Sequence, residues 1–159
     1  MQKKYILSII LATLILFLSI ILINYKVDVF GINSLQKYYY NSAKYERYQN
    51  IGLVRNYNYD TIVTGTSLSE NFKISLLNKL FNANAIKVPI SGGTAKEQSL
   101  LLNVAVKNGV KKVFLDVHYN AYSGSSDRMH PSFQFPDYLY DKNMINDFKF
   151  YASFDTLTL

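Results

Sequence analysis

Cysteine is absent from the chain. That excludes a disulfide framework and any thiolate metal site, and it removes redox usage as a guide to compartment. Histidine is scarce: His118 and His130 are the only two, and they have no metal-ligand spacing, so no metal is expected. The net charge of +6 has no basic stripe behind it. The cationic residues are scattered, and Lys3, Lys4 and Lys26 merely flank an apolar run, so nucleic acid is not an expected partner. No internal repeat is present.

Charge, glycine and proline are all missing from Tyr5 to Ile23, which reads YILSIILATLILFLSIILI. A helix needs roughly 20 apolar residues to cross a ~30 Å hydrocarbon core, and this run suffices. Ser8, Thr13 and Ser19 are small hydroxyls that can bond back to their own helix, so they cost little in lipid. Tyr5 and Tyr25 stand where amphipathic rings favour the headgroup layer. A signal peptide's apolar region is only about 7–15 residues and is followed by a small-residue cleavage site. Ile21-Leu22-Ile23-Asn24-Tyr25 offers none. Residues 1–25 are therefore expected to be a retained anchor, in contact with the bilayer over residues 5–25. Lys3 and Lys4 before the span put the N-terminus in the cytoplasm and the rest of the chain outside it.

Residues 26–58 read as a tyrosine-rich connector. In SLQKYYYNSAKYERYQN, Leu35, Tyr38, Tyr39, Ser42 and Tyr45 fall on one side of a helix that Asn33 or Ser34 could cap. Packing is the expected role for these tyrosines rather than stacking on sugars.

Residues 59–159 carry the regular alternation of an α/β domain. Strands are expected at 59–64, 85–90 and 112–117, with helices at 69–81 and 95–108 between them and a further helix over 147–157. Thr94 and Glu97 match a capping box, and Gly109 supplies the stop. Pro89 lacks an N–H and belongs at an edge or a strand end. Strand–helix–strand–helix–strand with short joins implies a parallel sheet. In the order 2-1-3, as in flavodoxin-like sheets, the first strand is central and ligands sit beyond the carboxyl ends. Three loops converge there: Gly65-Thr66-Ser67, Ser91-Gly92-Gly93 and His118-Tyr119-Asn120.

A serine at a tight turn after a strand projects its hydroxyl into such a crevice. A glycine pair after the neighbouring strand lets backbone N–H groups approach a developing oxyanion. On these residues the sequence resembles the SGNH (GDSL-like) hydrolase superfamily, and more closely its membrane-anchored relatives in bacterial envelopes. Tyr59-Asp60-Thr61-Ile62-Val63-Thr64-Gly65-Thr66-Ser67 is similar to the first block, with Glu70-Asn71-Phe72 following. Ile90-Ser91-Gly92-Gly93-Thr94 is similar to the second, with Lys96-Glu97-Gln98 following.

The resemblance implies a parallel three-layer α/β sandwich and ester hydrolysis or acyl transfer, with O-acyl groups on an envelope polysaccharide as the substrate class. Ser67 would be the nucleophile, and Gly92, Gly93 and Asn120 would line the oxyanion hole. The superfamily's D-x-x-H block, which supplies the base, has no counterpart here. The chain is therefore expected to be the N-terminal portion of such a domain and weakly active or inactive, with His118 as an improvised base.

Two other readings compete. A membrane-tethered domain could bind an envelope polymer without turnover. Thr64-Gly65-Thr66-Ser67 also resembles a phosphate cradle such as the FMN loop of flavodoxins, although no cofactor is needed by the favoured reading. Ser67 itself could be only a helix cap, since Ser67-Leu68-Ser69-Glu70 fits a capping box.

Overall fold

The computed structural model describes residues 2–37, 39–40 and 42–153, with backbone alone for Gln2 and Met144. Tyr38, assigned above to a helix face, and residues 154–157 of the final helix lie outside the described residues.

Helix α1 spans Gln2–Val27, and an 18-residue run within its Lys3–Val27 stretch has a mean hydropathy of 3.1 with almost none of it buried against protein. It is long and apolar enough to cross a membrane. Its three hydroxyls turn back on their own helix: Ser8 on Lys4 O, Thr13 on Ile9 O and Ser19 on Ile15 O. None therefore presents an open hydrogen bond to the surroundings.

The helix ends at Asp28, which takes a left-handed φ of 44°. The Asp28 carboxylate accepts from Ile32 N at 2.8 Å, Asn33 N at 2.9 Å and the Ser34 hydroxyl at 2.8 Å. Asn33 and Ser34 are thus engaged in closing this turn and do not start the expected helix. Beyond them the described residues before Ala43 are not helical, and the Gln49 amide pairs with both Tyr40 N and Tyr40 O as a neighbouring strand would. Helix α2 begins only at Ala43 and runs to Asn56.

The sheet has three parallel strands, β1 (Thr61–Gly65), β2 (Ala85–Pro89) and β3 (Lys112–Leu115), in the order β2-β1-β3. Thr61 pairs with Ala85 on one side and Lys112 on the other. The central strand is buried throughout. Its two threonines survive there because Thr64 Oγ1 donates to Val88 O at 2.9 Å and Thr61 Oγ1 to Asp60 Oδ1 at 2.6 Å. Pro89 closes an edge strand, where its missing N–H is harmless.

Helices cover both faces. Helix α4 (Ala95–Lys107) and α2 pack Leu101, Val104, Ala105, Ile51 and Val54 against Ile62, Val88 and Ile90. Helix α3 (Ile74–Phe81) sets Leu77 against Val63 and Ala85 on the other face. The segment expected as one helix over 69–81 divides in two: a 3₁₀ turn at Ser67–Asn71, then α3. Phe72 is extended at the break, and the Lys87 ammonium collects the released carbonyls of Glu70 and Phe72 at 2.6 and 3.4 Å.

Short helices α5 (Tyr119–Tyr122) and α6 (Phe148–Tyr151) complete the described chain. Helix α6 meets the end of α1. Asn24 is buried and donates to Tyr151 O at 2.7 Å and Ser153 O at 3.1 Å, and Tyr25 packs edge-on against Tyr151.

A buried ion pair joins the two helices of one face. Arg47 of α2 and Glu97 of α4 are fully buried and meet in a fork, Nε to Oε1 at 3.2 Å and Nη2 to Oε2 at 3.1 Å. Glu97 also accepts from Thr94 N, completing the capping box, and from His130 N. Arg47 donates further to Ala43 O and Ser91 O. Removing one member of such a pair leaves the other charged and unmatched, at a cost of about 3–5 kcal/mol. Glu97→Ala is therefore expected to destabilise the domain by about that amount in denaturant titrations of the detergent-solubilised chain. Loss of under about 1 kcal/mol would mean that the pair contributes no more than an exposed one.

Candidate functional site

The three loops at the carboxyl ends of the strands, together with the segment around residue 130, enclose a cavity of about 390 Å³. Thr66, Ser67, Gly92, Gly93, His118, Asn120, Arg128 and His130 line it. Ser67, Gly92, Gly93, His118 and Asn120, singled out from the sequence, therefore come together around one space. A larger cavity of about 570 Å³ lies elsewhere, among Phe30, Tyr45, Tyr48, Phe133 and Phe150. In it the tyrosines of the connector pack ring against ring with Phe30.

Ser67 is separated from the end of β1 by Thr66 alone, stands at the start of the 3₁₀ turn, and is exposed. The capping role falls to its neighbour: Thr66 Oγ1 accepts from Leu68 N, and Ser69 Oγ donates to Thr66 O at 2.7 Å. Among the described residues Ser67 Oγ has no hydrogen-bond partner, so it is neither a cap nor already paired with a base. Asp116 holds the turn from beneath, its Oδ2 accepting from both Thr66 N and Thr66 Oγ1 at 2.7 Å. A Cβ on Gly65 would lie 2.7 Å from that oxygen, at a φ of 141°, so the position requires glycine. This carboxylate also weakens the phosphate-cradle reading. It already takes the Thr66 N–H that a phosphate cradle on this loop would need free, and a single 3₁₀ turn replaces the helix N-terminus that reading needs.

The two glycines differ. Gly93 N donates to Ile90 O at 2.6 Å, so it is not available to an oxyanion. Gly92 N makes no hydrogen bond among the described residues and remains open. Ser91 turns away from the cavity: its N–H reaches Glu46 Oε2 at 2.6 Å, and its hydroxyl lies 3.0 Å from Glu46 Oε1 and 2.8 Å from Glu70 Oε1. Burial raises the Glu46 pKa and repulsion from Glu70 adds to it, against the lowering effect of the Ser91 hydrogen bonds and Arg47.

His118 precedes α5, and its carbonyl accepts from Ala121 N. No hydrogen bond joins its ring to Ser67 among the described residues. His130, which lacks the D-x-x-H context, nevertheless lies at the cavity with Nε2 against Gly92. Its Nδ1 accepts from Ser132 N at 3.1 Å and Phe133 N at 3.2 Å, and its ring stacks on Phe133 at 4.6 Å. Backbone N–H groups only donate, so Nδ1 is unprotonated and the neutral ring carries its proton on Nε2. As held, His130 offers the cavity a donor instead of a base. Burial lowers its pKa below 6.5, with Arg47 and Arg128 adding to the effect and Glu97 opposing it.

Arg128 and His130 are the cavity residues that sequence reading did not assign. The available signal was the His130-Pro131 turn, whose place was set by Glu97 accepting His130 N.

Two outcomes follow from this geometry. Gly92 has a φ of 64°, and an added Cβ would stand 2.8 Å from His130 Nε2. Gly92→Ala is expected to displace the ring, seen as a changed His130 ring resonance, and to cost about 1–2 kcal/mol in backbone strain. The second outcome concerns pH. The folded chain binds fewer protons at His130 than the unfolded chain between pH 6.5 and the lowered value. Stability from this group is complete above pH 6.5 and declines as the pH falls through that window. His130→Asn, whose side-chain oxygen can accept as Nδ1 does, is expected to flatten that acid-side decline in melting temperature.

No family model matches the chain, no curated protein matches it in sequence, and no solved structure matches it.

Proposed function

We propose that the chain is a single-pass membrane protein whose α/β domain stands outside the cytoplasm and carries a slow SGNH-type serine esterase or acyl-transfer site for ester groups on an envelope glycan. The observation that carries this reading is the exposed, unpaired Ser67 hydroxyl at the end of the central strand, sharing one cavity with the open Gly92 N–H and with Asn120. Ser67 Oγ would attack the ester carbonyl, and Gly92 N–H and the Asn120 amide would hold the developing oxyanion. Turnover is slow because a serine without a bonded base is a poor nucleophile, and the His130 lone pair is already taken. His118, at the same cavity, is the residue left to accept the proton. Anchoring is supported by the length, hydropathy and self-satisfied hydroxyls of α1, and orientation by Lys3 and Lys4 before it.

The engaged ring of His130 also favours a second reading, a membrane-tethered domain that binds an envelope polymer without cleaving it. A fluorophosphonate probe separates the two. The esterase reading expects slow labelling of the solubilised chain that disappears in Ser67→Ala. No labelling of the wild type at any pH from 6 to about 9, through the ordinary histidine range, would leave the binding role. Because the chain has no native cysteine, topology can be read with single replacements. In sealed cells an impermeant maleimide is expected to label Lys79→Cys and to spare Lys3→Cys; the reverse pattern would invert the proposed orientation.

A further inference from the structure

Two residues that line the Ser67 cavity, Arg128 and His130, each carry a polar hydrogen with no partner among the described residues. The first is on Arg128. Its Nη2 donates to Asn120 O, but its Nε is shielded from solvent and meets no acceptor. Among the described residues Arg128 has no ion-pair partner. The acids near it are engaged elsewhere: Asp127 with Lys96 at 3.2 Å, Glu97 with the buried Arg47, and Asp116 with Thr66. The second is Nε2–H of His130, fixed as a donor by the two backbone N–H groups on Nδ1 and held in place by the Phe133 stack. No carboxylate lines the cavity to receive either hydrogen. A guanidinium hydrogen left without an acceptor away from water is costly, and an ionised acceptor relieves that cost best.

We infer that the cavity receives an anionic oxygen of its ligand, a carboxylate or a phosphate, held by the Arg128 guanidinium and by His130 Nε2–H. This deepens the proposed function and rests on its taking the Ser67 cavity as the ligand site: the ester-bearing polymer is an acidic one. Arg128 supplies the charge, and His130 supplies a neutral, oriented donor whose proton cannot be traded for a lone pair while Nδ1 is engaged. The anion sets which part of the polymer lies against Ser67, so Arg128 and His130 select the substrate while Ser67, Gly92 and Asn120 act on it. At about 390 Å³ the cavity falls in the range of small-molecule sites, as a single acidic residue of a polymer requires.

The test uses the full chain in detergent, labelled with ¹⁵N and ¹³C in its histidines, with His118 identified through His118→Gln. Long-range proton–nitrogen spectra of the unliganded wild type should show His130 protonated on Nε2; protonation on Nδ1 would overturn the proposal. Glucuronate and glycerol 1-phosphate are then titrated against glucose and against chloride at matched ionic strength. Saturable shifts of the His130 ring with glucuronate alone identify an acidic sugar, and with glycerol 1-phosphate alone a phosphodiester polymer. Equal responses to glucose or chloride, or no response to either anion, would sink the idea. Arg128→Gln should weaken the anion response at least tenfold, with Arg128→Lys in between; unchanged binding in a variant that melts as the wild type does would exclude Arg128. Fluorophosphonate labelling of the wild type is read in parallel. Anion binding without labelling removes the esterase reading and keeps the subsite, whereas labelling without anion binding does the reverse.

Discussion

The buried fork between Arg47 and Glu97 is the contact on which the arrangement of the site depends. It ties α2 to α4 across the face of the sheet, and each partner then extends to a different loop. Arg47 reaches the carbonyl of Ser91, beside Gly92, while Glu97 takes the N–H of His130. The two charges are matched by each other, and their remaining hydrogen-bonding capacity is filled by backbone groups, which is the condition under which a buried pair is tolerable. Arg47 also faces the Phe133 ring at 5.2 Å, and that ring in turn supports the His130 imidazole. Two walls of the cavity therefore derive their positions from one salt bridge some way behind them. Tyr140 reinforces it from the far side by donating to Arg47 O at 2.5 Å.

The sheet was legible because its signals are local and repeated: short apolar strands, turn residues after each, and Thr94 and Glu97 three apart. The parallel arrangement followed from those, while the order 2-1-3, which the sheet has, came from the flavodoxin-like pattern. The starts of α2 and α3 were not legible, and in each case the cause is a side chain acting over a distance that periodicity does not register. Asp28 drew Asn33 and Ser34 into its own turn, Gln49 held Tyr40 in an extended segment, and Lys87 stabilised the break at Phe72. The cavity followed the same division. Ser67, Gly92, Gly93, His118 and Asn120 could be named because they follow strands. Arg128 and His130 come from an irregular segment whose path is fixed by Glu97, a residue that in sequence accounts for itself fully as a helix cap.

The chemistry of the cavity turns on which atoms are already bonded. Gly93 and Gly92 are adjacent and alike in sequence, yet only Gly92 keeps its N–H. His118 and His130 both line the space, but the lone pair of His130 is held by two backbone donors, so a histidine near a serine does not by itself make a base. The cavity keeps the Gly92 N–H and His130 Nε2–H as open donors, and no carboxylate is among its lining residues.

The junction of α1 with the domain has a mechanical consequence. Asn24 is clasped by the backbone of α6, and Asp28 locks the next turn, so no slack segment separates the apolar helix from the α/β body. From Tyr5 to Ile23 an α-helix rises about 28 Å, close to the thickness of a hydrocarbon core. If α1 crosses a bilayer as proposed, the domain is mounted like a tool on a fixed post, not a buoy on a line. Its working height and tilt are then set by the membrane itself. It would meet any ligand by lateral diffusion at one constant distance from the lipid, and whatever lies further out would stay beyond its reach.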